Sequence, residues 1–164
     1  MTKVTGKWSN PFIWAALMWM TVIFLFSARP GPESSMDSAW VGMLILRLVR
    51  PGFSALPKAE QLRMADGISF IVRKCAHATE YAVLSGLIWN ALKGCFPIST
   101  KLSIKRRAFL AWGFTVLYAI TDEIHQMFVP GRSCELRDVL IDAAGALAGL
   151  LICMFFHSRK SESS

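Results

Sequence analysis

The sequence lacks the common marks of a soluble metal-binding or nucleic-acid-binding domain. It has no CxxC pair, no Cys/His zinc spacing and no internal repeat, and its one low-complexity tract is the polar tail 158–164. Charged residues make up only 18% of its 164 residues, whereas 54% are hydrophobic. These apolar residues fall into a few unbroken blocks, which is unusual for a soluble domain of this length. The composition therefore indicates a membrane protein.

The net charge of +7 does not indicate a nucleic-acid partner, because no recognition module accompanies it. The lysines and arginines lie mostly between the apolar runs, where membrane topology and anionic lipid head groups account for them. We therefore expect membrane lipids, and no nucleic acid, as partners.

Four cysteines are spread along the chain, namely Cys75, Cys95, Cys134 and Cys153. Cys75 and Cys134 are expected near the same membrane face and would form a disulfide if that face is oxidising. The favoured interpretation is that all four are unrelated small apolar residues.

The apolar runs predict an all-α membrane domain over residues 1–164, with about four transmembrane helices. A spanning helix needs roughly 20 apolar residues, and the runs near that length are 11–28, 75–96, 108–129 and 138–156. A cleaved signal peptide is the competing interpretation of the first run, since basic residues precede it. The length of the run and its tryptophans favour a retained helix.

Two shorter stretches lie between the first and second predicted spans. Residues 38–50 are apolar but too short to span, which suits an interfacial or re-entrant helix. Residues 58–74 carry apolar side chains at helical spacing, which indicates an amphipathic helix on the membrane surface. A plain loop outside the membrane remains the alternative for the second stretch.

The polar residues of the last three spans are predicted to meet at one membrane face. They lie at the start of the second span, the end of the third and the start of the fourth, so alternating helix directions bring them together. Ionisable side chains at such positions are expensive and are functional candidates by default.

The positive-inside rule gives that face an orientation. With both termini inside, the inner segments hold nine basic residues: Lys3, Lys7, Lys93, Lys101, Lys105, Arg106, Arg107, Arg159 and Lys160. The other nine lie outside, but four of these, Arg73, Lys74, Arg132 and Arg137, belong to the polar cluster itself. We therefore predict an inner-membrane protein with both termini inside and the site on the outer face.

Two mirrored pairs in this cluster suggest chemistry. His77 with Glu80 and Asp122 with His125 are each three residues apart, so each pair shares one helical face. Facing pairs of this kind hold divalent metals in helical bundles, but buried ion pairing and metal-free acid–base chemistry are open alternatives. The candidate catalytic residues are His77, Glu80, Asp122, Glu123 and His125.

A second group suits an anion. Arg132 follows Pro130-Gly131 in a tight loop, and a guanidinium binds phosphate or carboxylate in bidentate fashion. An ion pair of Arg132 with Glu135 or Asp138 is the alternative. The candidate substrate- or anion-binding residues are Lys74, Tyr81, Gln126, Arg132, Asp138 and Asp142.

Gly145 and Gly149 continue the stripe of Asp138 and Asp142 along the fourth span. A glycine pair four residues apart allows another helix to approach closely. The sequence leaves open whether that helix belongs to the same chain or to a second copy in an oligomer.

Three motifs together resemble the VanZ-like family. They are Lys74-x-x-His77-x-x-x-Tyr81-x-x-Leu84, then Thr121-Asp122-Glu123-x-His125-Gln126-x-Phe128-x-Pro130-Gly131-Arg132, and Asp138 followed by Gly145 and Gly149. The resemblance covers roughly residues 70–150. One position departs from the family pattern, which usually has Asn where this chain has Asp142.

The resemblance implies a small polytopic membrane protein of the bacterial envelope, because the family is named after an accessory protein of teicoplanin resistance. One hypothesis is an enzyme or modifier of a lipid-linked envelope precursor. A second is a non-enzymatic protein that binds or shields an amphiphile, a glycopeptide or a lipid head group. A proton-relay transporter is disfavoured, since a relay needs protonatable groups through the full membrane thickness.

Overall fold

A computed structural model describes residues 10–95 and 103–162 of the chain, and these are helical apart from short connections. The elements are α1 (Pro11–Ser27), α2 (Gly31–Val49), a 3-10 turn (Phe53–Ala55), α3 (Lys58–Cys95), α4 (Ile104–Gln126) and α5 (Leu136–Glu162). The predicted all-α class is confirmed for this part of the chain. The predicted inner lysines Lys3, Lys7 and Lys101, and Phe96 at the end of the second predicted span, lie outside the described residues.

α1 and α2 are joined by a sharp bend. Asn10 caps α1 by accepting the Phe12 backbone N–H, and Pro11 occupies the first turn, where its missing N–H is harmless. Pro30-Gly31-Pro32 then ends one helix and starts the next at 106° to it. The predicted interfacial helix 38–50 therefore begins earlier than expected, at Gly31. A proline ends the helix before it, but a proline also fits the first turn of the next helix.

α3 is one continuous helix of 38 residues, about 57 Å long at the usual helical rise. The predicted surface helix 58–74 and the predicted span 75–96 are thus parts of a single element, since nothing between them interrupts helical hydrogen bonding. Its first half packs against α2, and its second half packs against α1, α4 and α5. The alternative of a plain loop over 58–74 is wrong.

Small residues form the seam between α3 and α5. A Cβ added at Gly145 would lie 2.7 Å from the Ala78 Cα, and one added at Gly149 would lie 2.7 Å from the Ala82 Cα. Both distances are far shorter than van der Waals contact, so only glycine fits at these positions. The partner helix of this glycine face therefore belongs to the same chain.

The prediction of four transmembrane helices is not confirmed. Among the described helices, the segment Leu136–Arg159 of α5, with a mean hydropathy of 2.3, is long and apolar enough to cross a membrane. The bent pair of α1 and α2 passes the same test only when taken as one broken span. α1 has just 17 helical residues, and the polar residues of α3 and α4 shorten their apolar stretches.

The apolar surface is nevertheless extensive, as expected for a membrane-associated protein. Large hydrophobic side chains are exposed along the helices, for example Met18 on α1, Phe109 on α4 and Phe156 on α5, each more than 60% accessible. Soluble monomers seldom expose contiguous apolar surface on this scale. Helices of this kind satisfy their backbone groups internally, as a lipid environment requires.

α1 belongs to the folded core. Its residues Ala16, Ile23 and Ser27 are buried, and the Trp19 indole N–H donates to the Glu80 carbonyl at 2.9 Å. The Tyr118 hydroxyl donates to the Met20 carbonyl at 2.6 Å. These contacts favour a retained helix over a cleaved signal peptide.

Candidate functional site

The polar residues in the middle of α3, at the end of α4 and at the start of α5 meet beside the α1–α2 bend. Two neighbouring cavities lie there, with volumes of about 100 Å³ and about 240 Å³. The smaller one lies towards the α4–α5 loop and the larger one towards α2. Arg73, His77 and Arg132 line both cavities, so these three side chains form the shared wall of the site.

Arg132 is held in place by the end of α1. Its Nε donates to the Arg29 carbonyl at 2.9 Å and Nη2 donates to the Phe26 carbonyl at 3.3 Å, while Nη1 donates to the Gln126 side chain at 3.3 Å. A cation at the C-terminal end of a helix satisfies otherwise unpaired carbonyls. These bonds use three of the five guanidinium N–H groups and leave two for a ligand.

Arg73 is the second guanidinium of the site, and the sequence indicated it only as part of a positive rim. It precedes His77 by four residues on α3, so the two share one helical face. Its Nη1 donates to the Ser35 hydroxyl of α2 at 2.9 Å. The helical spacing from His77 was the available signal for its role.

Neither arginine forms an ion pair with an acid in the described chain, although Asp122, Glu123 and Glu80 act on Arg132 from a longer distance. Among the described residues, no carboxylate oxygen lies within 4.0 Å of the Arg73 or Arg132 guanidinium. The predicted alternative, an ion pair of Arg132 with Glu135 or Asp138, does not form. Burial, together with the like charge of Arg73, lowers the pKa of Arg132 from its usual value. An anion between the two arginines would offset this unfavourable placement.

Unlike the two arginines, Lys74 forms an ion pair, and its partner is Asp138. Its Nζ donates to Asp138 Oδ2, and both side chains are less than 20% exposed. Phe70 lies one turn earlier, with its ring centroid 5.1 Å from the Lys74 ammonium and 5.2 Å from the Arg137 guanidinium. The pair ties α3 to the start of α5, so Lys74 has a structural contact in addition to its predicted role in anion binding.

His77 and Glu80 form the predicted pair on α3. His77 Nδ1 lies 3.7 Å from Glu80 Oε2, and both side chains are about four-fifths buried. His77 lines both cavities, whereas Glu80 lines the larger one. The distance is longer than a hydrogen bond, but unliganded acid–base sites often tighten only around a substrate.

The second mirrored pair does not complete a metal site. His125 stacks on Phe24 of α1 with ring centroids 4.5 Å apart. Asp122 is buried on α4, where its Oδ2 accepts from the Gln126 amide at 3.3 Å. In the part of the chain that the structure describes, no three His, Cys, Asp or Glu side chains are arranged to hold a metal ion. The structure therefore does not bring His77, Glu80, Asp122 and His125 together as a set of four ligands, because the two histidines have different neighbours, and a metal role stays a prediction.

Glu123 and the glycines shape the loop that carries Arg132. Glu123 Oε1 accepts the Glu135 backbone N–H at 2.7 Å, which satisfies a free donor at the start of α5. Gly131 adopts a φ of +74°, a conformation that favours glycine. The Gly31 N–H donates to the Pro130 carbonyl at 3.0 Å, which fastens α2 to the loop. These contacts give Glu123 a structural task, and its catalytic role stays a prediction.

A second polar group lies deeper, where α3, α4 and α5 meet. Tyr81, Asp122 and Asp142 are each less than 5% exposed; the Tyr81 hydroxyl lies beside the Asp122 carboxyl, and Asp142 Oδ1 has no hydrogen-bond partner among the described residues. Gln126 joins this group to α1 through a 2.9 Å hydrogen bond from its amide to the Ser27 hydroxyl. The structure thus places Tyr81 and Asp142 behind the cavity wall rather than in it. Their predicted role in binding stays untested.

The four cysteines are free thiols, and Cys75 and Cys134 are both exposed. The structure therefore contains no Cys75–Cys134 disulfide, in line with the favoured interpretation.

Comparison with known proteins identifies a family over most of the chain. The family model described as VanZ/LLP1 matches residues 12–157, which include all five helices up to the last turns of α5. No curated protein and no solved structure matches the chain.

Proposed function

The chain belongs to the VanZ/LLP1 family, and on that premise we propose that it binds the phosphate-bearing head group of an envelope amphiphile between Arg73 and Arg132. Family membership suggests a resistance-associated protein of the bacterial envelope. The observation that carries the proposal is the pair of arginines that line the same two cavities without a carboxylate partner. Guanidinium groups bind phosphate oxygens through paired, charge-assisted hydrogen bonds.

The rigidity of the site supports binding of a defined group rather than loose charge attraction. Three hydrogen bonds fix the Arg132 guanidinium before any ligand arrives. Preorganised donors lose little conformational entropy on binding. Arg73, held by one hydrogen bond to Ser35, would complete the clamp.

The same arrangement supports a proposal for the membrane setting. We place the protein in the inner membrane with both termini inside, so that the arginine site faces the outer surface. The exposed apolar residues of α1, α4 and α5 support insertion, and the location of the polar groups at one end of these helices supports a site at the membrane boundary. An outward site suits a role in teicoplanin resistance, since lipid-linked envelope precursors are used on that side.

The test compares two matched arginine substitutions. Arg73→Gln removes a proposed phosphate ligand. Arg106→Gln removes the same charge from an exposed position at the start of α4, whereas the site lies at the end of that helix. In detergent micelles, Arg73→Gln should weaken binding of short-chain phosphatidate at least about tenfold, as expected for charge-assisted hydrogen bonds. Equal affinity in both variants would contradict head-group binding at this site.

A second function, modification of the bound amphiphile, is favoured by the His77–Glu80 pair. It stands in the cavity wall, where a histidine backed by a carboxylate can move a proton to or from a ligand. In cells that depend on this protein for teicoplanin resistance, His77→Gln should abolish resistance while the purified variant still binds phosphatidate. Retained resistance in His77→Gln cells would instead indicate a binding or shielding protein.

A further inference from the structure

We propose that the apolar groove between α2 and α3, beside the arginine cavities, holds an acyl chain of the same amphiphile. This inference rests on the proposed head-group site and extends it to the ligand's apolar part. The groove has a volume of about 650 Å³. Its apolar lining includes Ile45 of α2, Ile71 and Val83 of α3, and Trp19 of α1.

The groove and the larger arginine cavity are neighbours. Val41, Val72, Ala76 and Glu80 line both spaces, so the groove lies directly beside the cavity. A molecule with its phosphate between the arginines would therefore have an apolar surface directly beside it. The two spaces together match a ligand with a charged head and an apolar tail.

The direction of the groove suits a lipid that enters from the membrane. Its lining residues on α3 run from Ile68 to Val83, and the part from Ala76 to Val83 is about 10 Å long at the helical rise. One leaflet of a bilayer has a hydrocarbon thickness of about 15 Å, so this stretch covers much of it. Trp19 of α1 also lines the groove, and its hydrogen bond to the Glu80 carbonyl holds it in place.

The charges at the head of the groove select the occupant. A neutral lipid tail would find apolar surface anywhere on these helices, but here such surface adjoins two arginines that form no ion pair in the described chain. Arg73 and Arg132 complement a phosphate, while Glu80 can accept a hydrogen bond from a hydroxyl next to it. The occupant is therefore a phosphate-bearing lipid rather than free phosphate.

The experiment fills the groove without touching the arginines. Thr79 lines the groove and is exposed, and its hydroxyl bonds only the Cys75 carbonyl of its own helix. Thr121 is a matched control on α4, because it is equally exposed and its hydroxyl bonds the Tyr118 carbonyl in the same way. Thr79→Phe and Thr121→Phe thus add the same ring at two comparable helical positions, one inside the groove and one outside it.

The probes are long-chain phosphatidate and glycerol 3-phosphate, which has the head group alone. Thr79→Phe should weaken phosphatidate binding about tenfold, which corresponds to roughly two methylenes kept out of the groove. It should leave glycerol 3-phosphate binding unchanged, and Thr121→Phe should change neither. If Thr79→Phe does not fold, Val83→Trp repeats the test at the end of the groove that is farther along α3.

The outcomes separate the two proposals. Normal phosphatidate affinity in a folded Thr79→Phe or Val83→Trp variant would overturn the acyl-chain groove while leaving the head-group site intact. Failure of the unsubstituted protein to bind either probe would overturn the head-group site itself, and the groove proposal with it.

Discussion

The seam between α3 and α5 makes a quantitative prediction about two glycines on different helices. Gly149 lies against α3, where an added Cβ would be 2.7 Å from the Ala82 Cα, whereas Gly113 on α4 has no neighbouring atom within 4 Å of an added Cβ. Alanine stabilises an open helical position by up to about 1 kcal/mol relative to glycine. At Gly149 the same change must push the helices apart by roughly 1 Å, at a cost of about 1–3 kcal/mol for overpacking.

We expect the two substitutions to have different effects on the free energy of unfolding. Gly113→Ala should leave the free energy of unfolding unchanged or slightly raised, and Gly149→Ala should lower it by about 1–2 kcal/mol after the gain in helix propensity is subtracted. Unfolding in detergent, followed by circular dichroism with a denaturant series, measures both variants under one condition. A Gly149→Ala variant as stable as Gly113→Ala would refute the close α3–α5 packing.

Three further predictions concern the loop and the site. The double variant Lys74→Ala/Asp138→Ala should lose about 1 kcal/mol less stability than the two single variants lose together, because each single variant leaves one charge without its partner; simple additivity would contradict the ion pair. Glu123→Ala should lower the free energy of unfolding by about 1–3 kcal/mol by leaving the Glu135 N–H without an acceptor, and Glu123→Gln should recover much of this loss; equal losses would show that the hydrogen bond is unimportant. Cys134 is exposed at the site, so a membrane-impermeant maleimide should label it in intact cells if the site faces outwards, with labelling only after lysis as the contrary result.

The sequence predicted much of the site because polar residues are conspicuous in an apolar chain. The spacing of His77 and Glu80, and the position of Arg132 after Pro130-Gly131, were sufficient to place these groups near one another. Alternating helix directions then explain why the polar residues in the middle of α3, at the end of α4 and at the start of α5 lie together. The structure adds the cause of the arrangement, since Arg132 binds the carbonyls at the end of α1.

The incorrect predictions have physical reasons. Spacing alone cannot tell which way a side chain turns, so the sequence does not show that His125 stacks on Phe24 rather than facing His77 and Glu80. The continuity of α3 was missed because a change from amphipathic to apolar character resembles a boundary, although the backbone continues unbroken. Arg73 was undervalued because its significance depends on Ser35 and Arg132, which are distant in sequence.

The most direct measurement of the central claim is the head-group selectivity of the unsubstituted protein. Phosphatidate and diacylglycerol with identical chains differ only in the phosphate, so their affinities in the same micelles isolate its contribution. Two preorganised guanidinium groups predict at least about a tenfold preference for phosphatidate, and salt should reduce this preference because it screens the charges. Equal affinity for the two lipids would contradict the account, since Arg73 and Arg132 would then recognise no phosphate.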